Sequence, residues 1–251
     1  MRIAALYDIH GNLPALEAVL AEVRHAGVDR IMIGGDVLPG PMPRECLEVL
    51  RSLDRPTSFI RGNGDRETVA AGRGQMGRAV PEAFREAIRW NAAQLASADQ
   101  DLIDAWPMSL RMTIPGMGAV LFCHATPRDD NEIFIESTAE AALRPLFEPL
   151  GVDLVVCGHT HMQFDRRIGS TRVVNAGSVG MPFEAPGAYW LLLGPTVELK
   201  RTQYDLAAAA QQVRHTSYPR AAEFAEQNIL STPNKKDMLA ALAKAELTAT
   251  P

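Results

Sequence analysis

Short apolar runs that end in ligand-type side chains recur along this chain, and the recurrence limits the folds open to it. Arg2 to Tyr7 leads into Asp8-Ile9-His10-Gly11-Asn12, Ile31 to Ile33 into Gly34-Gly35-Asp36, and Ser58 to Ile60 into Arg61-Gly62-Asn63-Gly64-Asp65. Ala119 to Cys123 is followed by His124, and Leu154 to Cys157 by Gly158-His159-Thr160-His161. Between the first runs lie helical patterns. Pro14 to His25 carries Leu16, Val19, Leu20 and Val23 on one face, with Asn12 as a cap and Gly27 as a stop. Pro43 to Leu53 reads as a second helix. Strands alternating with helices imply a parallel sheet whose carboxyl ends carry the chemistry.

Residues from about Arg66 to Trp106 read as a helical insertion beside that sheet, with Phe84, Ile88 and Leu95 buried. Leu110 to Ile114 and Ala119 to Cys123 form a predicted hairpin around Pro115-Gly116-Met117-Gly118. A helix over about Thr138 to Phe147 follows, and later strands at Arg172 to Asn175, Ala188 to Leu193 and Thr196 to Arg201 are expected to be mainly antiparallel. The expected organisation is one domain over 1–205, with the insertion at about 66–108, and a helical C-terminal tail over 206–251.

With 47% hydrophobic residues the chain can bury a sizeable core. Its net charge of −5 argues against polymeric nucleic acid as a partner, because such binding needs clustered basic groups to displace counterions. Cys46, Cys123 and Cys157 are odd in number and lack metal-type spacing, which points to a reducing compartment. No run approaches the roughly 20 apolar residues of a membrane span. A cytoplasmic, non-membrane protein is expected.

In extended backbone, residues i and i+2 project to the same side. Asp8 with His10, and His159 with His161, are therefore expected to face one site. Carboxylate, imidazole and carboxamide groups together suit borderline divalent ions, and seven such side chains are roughly enough for two ions sharing a carboxylate.

The set Asp8-x-His10, Gly35-Asp36, Gly62-Asn63-x-Asp65, His124 and Gly158-His159-x-His161 resembles the calcineurin-like metallophosphoesterase superfamily from Arg2 to about Tyr204. Within it, Asp8 to Asn12 and the later Asn175-Ala176-Gly177-Ser178-Val179-Gly180 look most like the small bacterial and archaeal phosphodiesterases. The resemblance implies an α/β fold, a four-layer α/β/β/α sandwich of two facing mixed sheets. It assigns Asp8, His10 and His161 to one divalent ion (manganese, iron or zinc) and Asn63, His124 and His159 to another, with Asp36 bridging. The implied reaction is in-line attack on a phosphate ester by a water or hydroxide shared between the ions. Arg61 and Arg128 are candidate phosphoryl ligands, and Asn12 and Asp65 candidate supports for the metal ligands.

The chain departs from many relatives at Gly64, where they carry a histidine that assists the leaving group. Without such help a loss of about 10²- to 10⁴-fold is expected for poor leaving groups. Glycine is also expected to leave room for a second ester substituent. Both considerations favour phosphodiesters and activated aryl esters over simple alkyl monoesters, and the expected substrate is a small phosphorylated molecule such as a nucleotide. The alternatives are a phosphomonoesterase similar to protein or dinucleoside-polyphosphate phosphatases, and a noncatalytic metal-binding scaffold. Tyr7 is expected to narrow the pocket.

Overall fold

The computed structural model describes residues 1–77 and 80–248. Along the chain, β1 (Ile3–Leu6) is followed by α1 (Leu13–His25), β2 (Arg30–Ile33), α2 (Pro43–Arg51) and β3 (Thr57–Phe59). Helices α3 (Asn63–Gly72), α4 (Glu82–Gln94) and α5 (Ser97–Asp104) precede the hairpin β4 (Ser109–Ile114) and β5 (Gly118–Cys123). Next come α6 (Glu140–Phe147), β6 (Leu154–Cys157), β7 (Gln163–Ile168), β8 (Thr171–Ala176), β9 (Ala188–Leu193) and β10 (Val197–Thr202). The chain continues through α7 (Leu206–Arg214), α8 (Ala221–Phe224), a π-helical turn over Ala225–Leu230 and α9 (Lys235–Leu242).

The described strands form two sheets, ordered β10-β9-β1-β2-β3 and β4-β5-β6-β8-β7. In the first, β1, β2 and β3 run parallel and β9 joins β1 antiparallel. In the second, β5, β6 and β8 run parallel, with β4 and β7 antiparallel at the edges. Side chains alternate across each strand, so every strand feeds two layers. Ala4, Leu6, Ile31 and Ile33 pack outward with Leu16 and Val19 of α1. Ile3, Ala5 and Met32 pack inward with Phe122, Val156 and Val174 of the other sheet. Leu121, Val155 and Val173 cover Leu143 and Phe147 of α6. The result is the expected α/β/β/α sandwich. Ala210, Val213, Phe224 and Ile229 join the same cluster as Leu16 and Trp190, so the C-terminal helices are packed onto the body.

Several expectations need correction. Strand β7 was not expected. Its sequence Gln-Phe-Asp-Arg-Arg-Ile is rich in charge, and it forms because it pairs along the edge with β8 while burying Phe164 and Ile168. The later strands are mainly antiparallel, as expected, with β8 also pairing parallel to β6. Phe84, expected in the core, is 47% exposed, whereas Ile88 and Leu95 are buried.

Tyr7 does not narrow a pocket. It is fully buried between the sheets, and its hydroxyl donates to the Val156 carbonyl at 3.0 Å. Its ring fills the space beside Gly34, where a Cβ would lie 2.1 Å from it. Tyr7→Phe is therefore expected to cost about 1 kcal/mol of unfolding free energy, read by urea denaturation, with bound-metal content unchanged. A fall in metal content would contradict this placement.

Candidate metal centre

The ligand motifs leave their strands before the ligands appear. Asp8 (φ 53°), His10 (47°), Asp36 (51°), His159 (68°) and His161 (58°) all adopt left-handed backbone. The expectation that Asp-x-His and His-x-His act as extended i, i+2 pairs is thus wrong in its mechanism. The residues do converge, but through sharp turns, a conformation that side chains other than glycine adopt only when their surroundings enforce it.

Hydrogen bonds supply that enforcement. The amides of Asp8, His10 and Gly11 donate to the carbonyls of Gly35 (3.1 Å), Asp36 (3.0 Å) and Val37 (2.9 Å), locking the turn after β1 to the turn after β2. The Asn175 to Gly180 motif closes the other side. Ser178 Oγ and the Gly180 amide both donate to the Asp8 carbonyl, at 2.7 and 2.9 Å. Asn175 Nδ2 donates to the Gly158 carbonyl at 2.7 Å, fixing the turn that bears His159 and His161. Asn12 caps α1 by accepting from the Ala15 amide and donates to the Gly180 carbonyl at 3.0 Å.

Two clusters of ligand atoms result: Asp8, His10 and His161, and Asp8, Asp36 and His124. His161 Nε2 lies 3.2 Å from Asp8 Oδ1 and 3.2 Å from His10 Nε2. Asp8 is common to both clusters, and Asp36 Oδ2, in the second, lies 3.5 Å from His124 Nε2 and 3.7 Å from His10 Nε2 of the first. His159 packs its ring 5.2 Å from that of His124, and Asn63 opens helix α3.

The imidazoles are oriented from behind. His10, His124 and His161 each place Nδ1 against a backbone carbonyl, those of Pro39 (3.2 Å), Gly34 (2.9 Å) and Met181 (2.7 Å). A carbonyl only accepts, so Nδ1 carries a proton and Nε2 is the nitrogen turned toward the site. Among the described residues, Asp8 Oδ1, Asn63 Oδ1 and His124 Nε2 are buried without a hydrogen-bond partner, as is Arg61 Nε. Buried polar atoms left unpaired are costly. Three of these four are acceptors or lone-pair donors from the expected ligand set, which is what cation ligands require. The residues fit two divalent ions, and the absence of a thiolate fits manganese, iron or zinc equally.

The charges are interdependent. Burial opposes ionisation of Asp8 and Asp36, but facing histidines, His161 for Asp8 and His124 for Asp36, hold both carboxyls below their usual range. Burial pushes His124 down, yet Asp36 and Asp8 together raise it to about 10. His159 falls to about 4 through burial and the neighbouring His124.

Asp65 is fully buried and its carboxylate accepts from three amides: Asp36 (2.8 Å), Leu38 (3.0 Å) and Gly62 (3.1 Å). Burial, then the charge of Asp36, pushes its carboxyl up to about 7. Asp65 thereby fixes the backbone on both sides of Asp36. Asp65→Asn would present an amide N–H to one of these donors. We expect metal affinity to fall about 10- to 100-fold, measured by competition with a chelating dye; unchanged affinity would refute the supporting role.

The two arginines expected at the phosphoryl group are engaged elsewhere. Arg61 Nη1 donates to Asp104 Oδ1 of α5 at 2.7 Å, and Arg128 pairs with Glu132 at the surface. The arginine that lines the cleft beside Asp36 and Asn63 is Arg66, held by Asp130 at 2.8 and 2.9 Å. Its position three residues after Asn63 on one helix was the available signal. A larger depression of about 510 Å³ at Arg44, Glu48 and Gln94 contains none of the ligand residues.

The Calcineurin-like phosphoesterase superfamily domain matches residues 1–194, and the chain belongs to that superfamily. It is 27% identical over 241 residues to the uncharacterized protein MJ0912 of Methanocaldococcus jannaschii, covering 86% of this chain and 93% of that protein. A metallophosphoesterase from Sphaerobacter thermophilus superimposes with a TM-score of 0.71 at 27% identity, over 92% of this chain and 98% of its own. The hypothetical protein PH1004 from Pyrococcus horikoshii OT3 shares the fold, with a TM-score of 0.74 at 19% identity over 89% and 97% of the two chains. Fold, superfamily and ligand clusters together define a metal-dependent phosphoesterase. No described helix is long and apolar enough to cross a membrane.

Proposed function

We propose that the chain hydrolyses a small phosphate diester, in a reducing compartment such as the cytoplasm. The observation that carries this reading is a cleft with two lobes meeting at His10, Pro39 and Phe84. One lobe, of about 250 Å³, contains Asp36, Asn63 and Arg66. The other, of about 280 Å³, runs past Met181 and Phe183 toward the C-terminal helices. A diester carries two organic groups away from phosphorus, and two lobes receive them; a monoester needs only one. The three cysteines, all buried and free, suit a reducing compartment.

In this reading Asp8, His10 and His161 hold one ion and Asn63, His124 and His159 the other, with Asp36 between them. Two divalent ions, when bound, polarise the phosphoryl group and lower the pKa of a coordinated water. The histidine Nδ1 bonds to backbone keep the Nε2 atoms aimed inward, so the ligands need little rearrangement to bind. Arg66 lines the first lobe but pairs with both Asp130 and Glu67, so it can meet an anionic ester oxygen only with a guanidinium N–H that those carboxylates share. Arg61 can reach a phosphoryl group only by leaving Asp104, and Arg128 only by leaving Glu132. Glu67 accepts from the Gly77 amide at 3.1 Å and from Arg66, so both of its oxygens are engaged away from a leaving group. Leaving groups that need no protonation are therefore favoured.

The test is a comparison of bis(p-nitrophenyl) phosphate, p-nitrophenyl phosphate and a phosphopeptide with manganese added. The diester is expected to give the highest kcat/KM, by on the order of tenfold or more, one decade for each 1.4 kcal/mol of barrier. A preference for either monoester would sink the proposal.

A further inference from the structure

We propose that the second lobe binds an aromatic ring carried on the phosphate, a nucleobase or an aryl group, between Phe84 and the C-terminal helices. The proposal rests on the phosphodiesterase reading and assigns the chemistry of one of the two ester substituents.

The lobe is walled by Phe84, Met181, Phe183, Tyr218, Phe224 and Met238. Such a surface offers ring faces and polarizable sulfur and no unpaired charge. Its two ionised groups, Arg220 and Glu223, satisfy each other in a salt bridge. An anionic substituent gains little there, whereas a flat ring can stack, with the amides of Gln227 and Asn228 also lining the lobe. The lobe is also continuous with the metal centre. Phe183 lies 4.7 Å from the His161 ring, and the Met181 carbonyl receives the His161 Nδ1 proton. A ring stacked in this lobe can be carried on the phosphate at the centre, an aryl ring through one ester oxygen or a nucleobase through its sugar.

Phe84 is the residue whose placement needs explaining. It is 47% exposed although large and apolar, yet it is held in place, with the Arg220 guanidinium 4.8 Å from its ring centroid. A pre-ordered exposed ring at the mouth of a cleft loses little freedom when it stacks against a ligand. The volume of about 280 Å³ lies just below the roughly 300–1,000 Å³ that ligand pockets span. One ring system fits, not an oligomer. Tyr218, Phe224 and Met238 also lie beyond residue 194, where the superfamily domain match ends. The lobe therefore draws on residues outside the superfamily domain match, and the Lys235–Glu184 pair at 2.9 Å holds those residues to the Phe183 loop.

Titration calorimetry of the full-length, manganese-loaded protein with phenylphosphonate and methylphosphonate tests the assignment without turnover. Phenylphosphonate is expected to bind about tenfold more tightly, as one stacked ring allows. Phe84→Ala should erase that ratio and leave methylphosphonate binding unchanged, while Phe84→Tyr should retain it. Adenosine monophosphate serves as a third ligand. Binding tighter than phenylphosphonate identifies a nucleobase, and parity identifies a plain aryl ring. Equal affinities for the two phosphonates in the parent protein overturn the proposal, as does an alanine variant that weakens both alike. If neither phosphonate binds to protein that holds its manganese, the phosphoesterase reading itself fails and the lobe's assignment falls with it.

Discussion

Replacing Asp36 by asparagine is expected to strip the centre of metal and with it the hydrolytic activity. Asp36 Oδ1 accepts from the Gly64 amide at 2.7 Å, which leaves Oδ2 to stand between His10 and His124. An asparagine side chain can keep one of these relations and not both. If its oxygen accepts from Gly64, its N–H₂ points at the inward-facing imidazole nitrogens, where a cation should lie. If it is turned round, the N–H₂ opposes the Gly64 amide. The substitution also removes the negative charge that offsets repulsion between two cations. We expect hydrolysis to fall by more than the roughly 10- to 100-fold seen when an outer partner of a metal ligand is lost. Elemental analysis of the purified variant, with initial rates on the diester, reads both effects. Metal content and rate at the parent's level would remove the basis for a binuclear centre.

Substitution of Gly64 is expected to damage the fold before it alters specificity. A Cβ there would meet the Leu38 carbonyl at 2.4 Å, Pro39 Cδ at 2.8 Å and Asp36 Oδ1 at 3.1 Å. None of these can retreat cheaply, because the Leu38 amide is tied to Asp65 and Asp36 to the Gly64 amide. Overpacking of this kind costs about 1–3 kcal/mol, or a melting temperature lower by roughly 2–12 °C for a chain of this length. Gly64→Ala tests the steric point alone, by thermal denaturation with metal content measured in parallel. Gly64→His is expected to fare worse and to lose metal, so it cannot restore a proton donor. The sequence-based expectation that glycine opens space beside the phosphorus is therefore corrected. This glycine admits a close pass of the backbone, and the room for a second substituent lies in the lobe beyond His10. A histidine variant that melted and bound metal like the parent would refute the packing argument.

Much of the fold was legible because the strands are short apolar runs and the ligands follow them directly. Asp8, Asp36, His124 and His159 are each met within three residues of a run's end, and the sandwich follows from that alternation. What remained hidden depended on neighbours distant in sequence. Strand β7 is polar at Asp165, Arg166 and Arg167, and pairing with β8 decides its state. Tyr7 looked like a pocket residue because it adjoins Asp8, yet the alternation of a strand sends it to the opposite layer. Arg61 adjoins the Gly-Asn motif, but Asp104, brought close by α5, takes its guanidinium. Phe84 sits among apolar helical neighbours, and only the C-terminal helices reveal that its ring borders a cleft. The left-handed turns were invisible for a related reason. Aspartate and histidine enter that backbone more readily than most residues, but too rarely for the sequence to mark the turns; at Asp8, bonds to Gly35, Ser178 and Gly180 hold it.

Those turns set the molecule's thermal robustness against its chemistry. A residue other than glycine in the left-handed region gives up roughly 1–2 kcal/mol, and five ligand positions do so together. Glycine placed at one of them would relax the chain locally while deleting a ligand. Drift toward inactivity at this centre would thus be rewarded with hardiness, and a lineage freed from catalysis would be expected to shed these side chains early.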